Sequence, residues 1–76
     1  MNVKRRIAAL RRRPANVHAR ELQVLAEAAG WTLRPGGKHA TYSRPDRLPL
    51  AIPVHPGALK AGTVRRILDR IAEDYE

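Results

Sequence analysis

The residues best suited to chemistry lie between positions 34 and 42, where a glycine-rich turn leads directly into a histidine. Gly37 has no β-carbon, so a ligand can approach its backbone N–H closely. Lys38 adds a positive charge, and the imidazole of His39 can take up or release a proton near neutral pH. This combination is typical of a site that handles phosphate groups. An ordinary β-turn is the alternative interpretation.

Four more residues in or near this stretch are candidates for the same site. Arg34 and Arg44 can hold phosphate oxygens through charge-assisted hydrogen bonds. Tyr42 and His55 are secondary candidates, because a phenol or a second imidazole can also exchange a proton. The competing interpretations are that Tyr42 is a packed aromatic residue and that His55 fixes the loop after a strand.

The composition disfavours several kinds of chemistry. The 76 residues contain no cysteine, which removes disulfides, thiolate nucleophiles and cysteine-based metal sites. The acidic residues form no catalytic pair, and His39 and His55 have no cluster of supporting ligands, so we expect no metal site. Gly36-Gly37 alone is too weak a signal to predict a nucleotide cofactor. What remains is acid–base chemistry by histidine without a metal or cofactor.

RNA is the substrate class that suits such a site. Its 2′-hydroxyl can lose a proton to His39 and attack the adjacent phosphorus, while Lys38 and the turn amides stabilise the developing charge. The residues equally allow a module that binds RNA without cleaving it, through these cations and a basic N-terminal arm. A protein that only docks on an acidic partner is a third alternative.

Positive charge is concentrated at the N-terminus. The chain has a formal net charge of +8; residues 1–20 hold seven Lys or Arg and no acid, whereas residues 21–76 hold eight basic and seven acidic residues. Such an excess predicts a polyanionic partner. No stretch approaches the ~20 apolar residues of a membrane span, and no signal peptide is visible. We therefore expect a cytoplasmic protein that does not engage a membrane.

The elements that must position these residues follow from the apolar periodicity. A first helix is predicted over residues 2–12, where apolar residues share one stripe, and Pro14 ends it. Its apolar stripe can pack the helix against the rest of the domain. Alternatively, the arginines of the helix can lie along RNA. A second helix is predicted over residues 18–29, with Asn16 as its start signal and Gly30 after its end. The last helix keeps its apolar period as far as Tyr75.

Three strands lie between the long helices. Alternating apolar and polar residues predict strands over 31–34, 39–44 and 48–54. Pro49 and Pro53 each lack an N–H on the same side of the third strand, which predicts that this strand lies at a sheet edge.

The order helix, helix, strand, strand, strand, helix predicts a two-layer α+β fold with the helices on one face of a three-stranded antiparallel sheet. Residues 1–76 are then a single domain, in which 1–17 are a basic N-terminal extension and 18–76 are the core.

Four short stretches match a known family in order and spacing. They are Ala29-Gly30-Trp31, Gly37-Lys38-His39, Val54-His55-Pro56-Gly57 and Gly62-Thr63-Val64-Arg65-Arg66-Ile67-Leu68. Together they resemble the HicA toxins, also called YcfA-like proteins, over most of the chain. Each stretch alone is a weak signal, and their common order is what makes the resemblance specific.

The resemblance implies a double-stranded-RNA-binding-domain-like fold and an mRNA-cleaving toxin of a type II toxin–antitoxin system. It also implies that no metal is needed and that a HicB-like antitoxin covers the active histidine. The functional histidine of the family corresponds to His39. Family members usually carry a serine before this histidine and often a second histidine after it, whereas this chain has Lys38 and Ala40.

Overall fold

The computed structural model describes residues 1–75, which contain three helices and three strands. In chain order they are α1 Val3–Arg12, α2 Ala19–Ala28, β1 Thr32–Arg34, β2 Ala40–Ser43, β3 Leu50–Ile52 and α3 Ala61–Ala72. The predicted α+β class and order of elements are confirmed. The arrangement from α2 to α3 is compatible with the double-stranded-RNA-binding-domain-like fold that the resemblance implies.

The first helix, α1, packs against both α2 and α3. It begins after Asn2, whose side-chain oxygen accepts the backbone N–H of Arg5 at 3.0 Å and so satisfies one unpaired donor of the first turn. Its apolar stripe is buried and consists of Val3, Ile7 and Leu10. The predicted N-terminal extension, residues 1–17, therefore shares its core with the rest of the chain.

The start of α2 differs from the prediction. Asn16 does not cap the helix, since it lies in a turn with a φ of 66°, in the left-handed region. His18 occupies the cap position instead. Its backbone N–H donates to the carboxylate of Glu21 at 2.8 Å, one arm of a capping box. The side chain that stabilises this helix start therefore comes from inside the first turn.

The sheet is an antiparallel meander in the order β1-β2-β3. Arg34 is opposite Thr41, and Ala40 is opposite Ile52. The glycine-rich turn is thus the connection between β1 and β2, held at both ends by strand pairing. The third strand lies at an edge of the sheet, as its prolines predicted.

The third strand is shorter than predicted. It covers Leu50–Ile52, and the side chains of Leu48 and Val54 are 77% and 52% exposed instead of joining the core. Pro49 and Pro53 flank the strand, and a proline cannot donate the hydrogen bond that would extend the ladder.

One face of the sheet carries the core. Ala40 and Tyr42 are buried on β2, whereas Thr41 and Ser43 are only partly covered. The buried residues of β3, Leu50 and Ile52, contribute to the same apolar cluster as the stripes of the three helices. Because the helices pack on this face, the opposite face of β2 remains accessible.

Candidate active site

An open groove with a volume of about 340 Å³ lies at the glycine-rich turn. Its lining comes from three parts of the chain that are distant in sequence. The end of β1, the turn 35–39 and Ala40 form one part, Gln23 of α2 is the second, and Val54 after β3 is the third. Four of the predicted site residues line the groove: Arg34, Gly37, Lys38 and His39.

The backbone of the turn depends on its glycines. Gly36 and Gly37 have φ values of 88° and 87°, a conformation that other residues rarely adopt. A β-carbon on Gly36 would meet no atom within 4 Å, and one on Gly37 would lie 3.7 Å from the carbonyl oxygen of His39. The glycines therefore fix the shape of the turn, and the space beside them is open to a ligand.

His39 is the last residue of the turn before β2 begins. Its side chain is exposed, and its imidazole makes no hydrogen bond to any residue among 1–75. The adjacent pairing of Ala40 with Ile52 anchors the backbone on which it stands. The imidazole thus lies on a fixed part of the fold with its nitrogens accessible to a ligand.

Two cations accompany His39 in the groove. Arg34 and Lys38 are both exposed, and neither forms an ion pair with another residue in the described part of the chain. Several arginines elsewhere are neutralised by carboxylates, among them Arg6 by Glu21 at 3.3 Å. The unpaired charges at the groove are therefore available to an anion.

The remaining predicted cation, Arg44, is engaged elsewhere. Its guanidinium donates to the backbone carbonyl of Ala29, and its Nε is 3.4 Å from the carboxylate of Asp74. A β-carbon on Gly30 would lie only 2.7 Å from Arg44 Nη1, so this glycine makes room for the contact. Arg44 therefore holds the C-terminal end of α2 and does not line the groove.

Tyr42 is in the core and outside the groove. Its side chain is fully buried, and its hydroxyl donates to the carboxylate of Glu27 at 2.9 Å. Burial, together with this carboxylate, raises the pKa of Tyr42 to about 12, and the nearby charge of Arg20 opposes the shift. The phenol is therefore protonated at neutral pH, and its ring packs in the apolar core.

His55 is exposed in the loop after β3 and is not part of the groove lining. Its Nδ1 lies 3.0 Å from the carbonyl oxygen of Pro56, so the ring donates from Nδ1 and leaves Nε2 without a partner in this contact. The preceding residue, Val54, does line the groove. His55 is thus close in sequence to the site, with its ring bonded to its own loop.

Three residues that line the groove were not predicted as site residues. Gln23 lies on α2, and its amide makes no hydrogen bond within residues 1–75. Leu33 and Val54, apolar residues in the predicted strands 31–34 and 48–54, are 51% and 52% exposed. Leu33 reaches the groove through the β1–β2 hairpin, whereas Gln23 and Val54 come to it from α2 and from the chain after β3.

Within residues 1–75, no three His, Asp or Glu side chains are grouped closely enough to hold a metal ion. None of the helices in this range has the length and apolar character that a bilayer crossing requires.

The fold and the groove together define a small, basic α+β protein with an accessible histidine beside two cations that form no ion pair within residues 1–75. The family model described as "HicA toxin of bacterial toxin-antitoxin" matches residues 19–72, and the chain therefore belongs to the HicA toxin family. No curated protein and no solved structure matches the chain at a significant level. The protein is accordingly a toxin of a toxin–antitoxin pair, with an antitoxin as its partner. The match begins at residue 19 and leaves out the whole of α1.

Proposed function

We propose that this toxin is an endoribonuclease that cleaves mRNA with His39 as its acid–base residue and without a metal ion. The observation that carries the proposal is the accessible imidazole of His39 in an open groove beside Arg34 and Lys38, which no carboxylate among residues 1–75 neutralises. Membership of the HicA family supports a nuclease, because the family is known for mRNA-cleaving toxins. Cleavage of mRNA would inhibit translation and growth. We place the toxin in the cytoplasm, because mRNA is translated there.

In the proposed reaction, His39 takes the proton of a ribose 2′-hydroxyl. The 2′-oxygen then bonds to the adjacent phosphorus as the bond from phosphorus to the 5′-oxygen breaks. The leaving oxygen takes up a proton from water or from a second acid, and the products carry a 2′,3′-cyclic phosphate and a 5′-hydroxyl. Lys38, Arg34 and the N–H of Gly37 stabilise charge on the phosphoryl oxygens.

His55 is a secondary candidate for that second acid, in a form that also carries a proton on Nε2, because Nδ1 is bonded to Pro56 and its neighbour Val54 reaches the groove. Tyr42 is the less favourable candidate, since its hydroxyl is buried and bonded to Glu27. We assign Tyr42 to the core.

Cleavage is expected to persist when divalent ions are removed. Purified protein incubated with a labelled single-stranded RNA in excess EDTA should produce the same fragments as in magnesium. The 5′ fragments should end in a 2′,3′-cyclic phosphate, because the nucleophile belongs to the substrate. Complete loss of cleavage in EDTA, restored by added metal, would contradict the proposed mechanism.

The partner of the pair is proposed to be a HicB-like antitoxin that covers His39 and the groove. An antitoxin bound there would exclude RNA by occupying the same cations. Its acidic or amide groups would take the place of phosphate at Arg34 and Lys38, which the described residues leave unpaired.

A second candidate function is a module on the same fold that binds RNA without cleaving it. The exposed cations of α1 favour it, since Lys4, Arg5 and Arg12 lie on the solvent side of the helix and form no ion pair within residues 1–75. RNA affinity that survives replacement of His39, together with no cleavage by the wild type, would support this alternative.

The cations of the groove and Arg44 are expected to respond differently to neutralisation. For single-stranded RNA, the log of the binding constant falls with the log of the salt concentration, with a slope of about −0.7 for each phosphate contacted. Replacing Arg34 or Lys38 by glutamine should reduce the slope by about that amount each. Arg44→Gln should leave the slope unchanged and lower the free energy of unfolding by about 1–3 kcal/mol, because it removes charge-assisted bonds to Ala29 and Asp74.

The measurement is fluorescence anisotropy with labelled RNA at several salt concentrations, in a His39→Ala background so that the RNA stays intact. Urea denaturation of the same variants gives the stability. A reduced slope in Arg44→Gln would show that Arg44 contacts RNA after all.

A further inference from the structure

The groove is lined partly by apolar side chains and an amide, which phosphate binding does not require. Leu33 and Val54 present half-exposed apolar side chains to it, and Gln23 contributes an amide. A site that held only phosphate would be lined by cations and N–H donors. Apolar surface next to an unsatisfied amide is instead typical of a site for a flat, partly apolar group with hydrogen-bonding edges.

The position of Gln23 on α2 is fixed. Leu22 and Leu25, on either side of it, are fully buried, so the helix cannot rotate about its axis without exposing them. Farther along the helix, Glu27 is bonded to the hydroxyl of Tyr42 on β2. The amide of Gln23 is thereby held on a rigid element while its own donor and acceptor have no partner within residues 1–75.

From these observations we infer that Gln23, Leu33 and Val54 form a base-binding subsite, which takes one unstacked nucleobase of single-stranded RNA and makes the toxin selective for it. The inference rests on the proposed function in one respect, namely that the groove binds RNA. Leu33 and Val54 cover the faces of the base, and the amide of Gln23 reads its edge with one donor and one acceptor.

The charges around the subsite favour this occupant. Arg34 and Lys38 lie in the same groove as Gln23, so a nucleotide whose phosphate contacts them would place its base near the apolar part. Arg20 lies one helical turn before Gln23 and is exposed and unpaired in the described chain. It can hold a neighbouring phosphate of the same strand.

Single-stranded RNA fits the groove better than duplex RNA. Bases in a duplex are stacked and paired, and their Watson–Crick edges are not available to a side chain. A base in a loop or an unpaired stretch can turn out of the strand and enter the groove. The subsite therefore predicts selectivity for unpaired RNA as well as for one base.

The test uses the His39→Ala protein and four labelled single-stranded RNAs that differ in one central base. We expect one base to be preferred over the others by about 5- to 100-fold, the discrimination that a good pair of hydrogen bonds provides. Gln23→Ala should reduce the spread to about twofold and leave the salt dependence unchanged. Val54→Thr, which keeps the shape and adds a hydroxyl, should weaken binding of all four RNAs and keep the preference.

Val24→Ala is the matched control, because Val24 is the next residue of α2, is 38% exposed and does not line the groove. It should keep both affinity and preference. A spread that is the same in Gln23→Ala as in its parent would overturn the inference. Equal binding of all four RNAs by the parent, or tighter binding of a duplex, would do so too.

The outcome is separable from that of the proposed function. Base-selective binding without any cleavage by the wild type would support the subsite and refute the nuclease. Cleavage by the wild type at sites unaffected by Gln23→Ala would support the nuclease and refute the subsite.

Discussion

Replacing His39 by alanine is expected to slow RNA cleavage by about 10²–10⁴-fold and to abolish growth arrest when the protein is expressed in cells. The range is the usual contribution of one positioned acid or base. We expect the fold to be retained, because the imidazole is exposed and makes no hydrogen bond within residues 1–75. The loss should therefore appear in the rate and leave stability unchanged.

The measurement is single-turnover cleavage of a labelled RNA by wild type and variant at equal concentrations of folded protein. His18→Ala is the matched control: His18 is also exposed but lies at the start of α2, outside the groove, and its contact with Glu21 uses the backbone N–H. It should cleave at the wild-type rate. His55→Ala tests the second acid and should reduce the rate less than His39→Ala.

Two results would change the assignment of His39. Equal cleavage by His39→Ala and wild type would move the chemistry to another group, of which His55 is the first to examine. Absence of cleavage and growth arrest with monodisperse wild-type protein would refute the catalytic role and favour the RNA-binding alternative.

The two departures from the family pattern occupy different environments. Ala40 is buried on the face of β2 that carries the core. A histidine there would need space and a hydrogen-bond partner within the core. Lys38 is exposed in the groove and adds a charge where the family resemblance leads us to expect a serine. We therefore expect Lys38 to strengthen phosphate binding in this toxin.

The elements of the fold could be predicted because their signals are local. The buried stripe of α1, the glycine that ends α2 and the prolines of β3 each act within a few residues. The first residue of a helix is harder to predict where its cap depends on side-chain geometry. Asn16 and Glu21 both can satisfy the first turn of a helix, and only the path of the chain decides that Glu21 does so.

The lining of the groove could be predicted as far as it is continuous in sequence. Arg34, Lys38 and His39 line one groove because a single hairpin carries them. Arg44 could not be distinguished from them by residue type. Arg44 instead forms an ion pair with Asp74, thirty residues later, and a hydrogen bond to the end of α2. Gln23 was missed for the converse reason, since nothing in a helical pattern tells which polar residue faces a groove.

Tyr42 gives the second large effect, this time on stability. Tyr42→Ala should cost about 3–5 kcal/mol, because it removes the largest fully buried side chain and leaves a cavity. Small domains have about 5–15 kcal/mol in total, so this variant should be largely unfolded near 37 °C and inactive for that reason alone. Inactivity of Tyr42→Ala therefore carries no information about catalysis.

Tyr42→Phe separates packing from chemistry. It keeps the ring and loses the hydrogen bond to Glu27, so the free energy of unfolding should fall by only about 1–3 kcal/mol. Cleavage should remain at the wild-type rate. A folded Tyr42→Phe protein that had lost cleavage would instead give the phenol a role in the reaction, which its burial argues against.

The pH dependence provides an independent check on the same hydroxyl. Folding raises the pKa of Tyr42 from 10.0 to about 12, so the folded state favours the neutral phenol more strongly than the unfolded chain does. The stability that this shift contributes is fully present below pH 10 and is lost as the pH rises from about 10 to about 12. Urea denaturation across this range should show a steeper loss for wild type than for Tyr42→Phe, which has no proton to lose at this position. Parallel loss in both proteins would mean that the alkaline instability arises elsewhere.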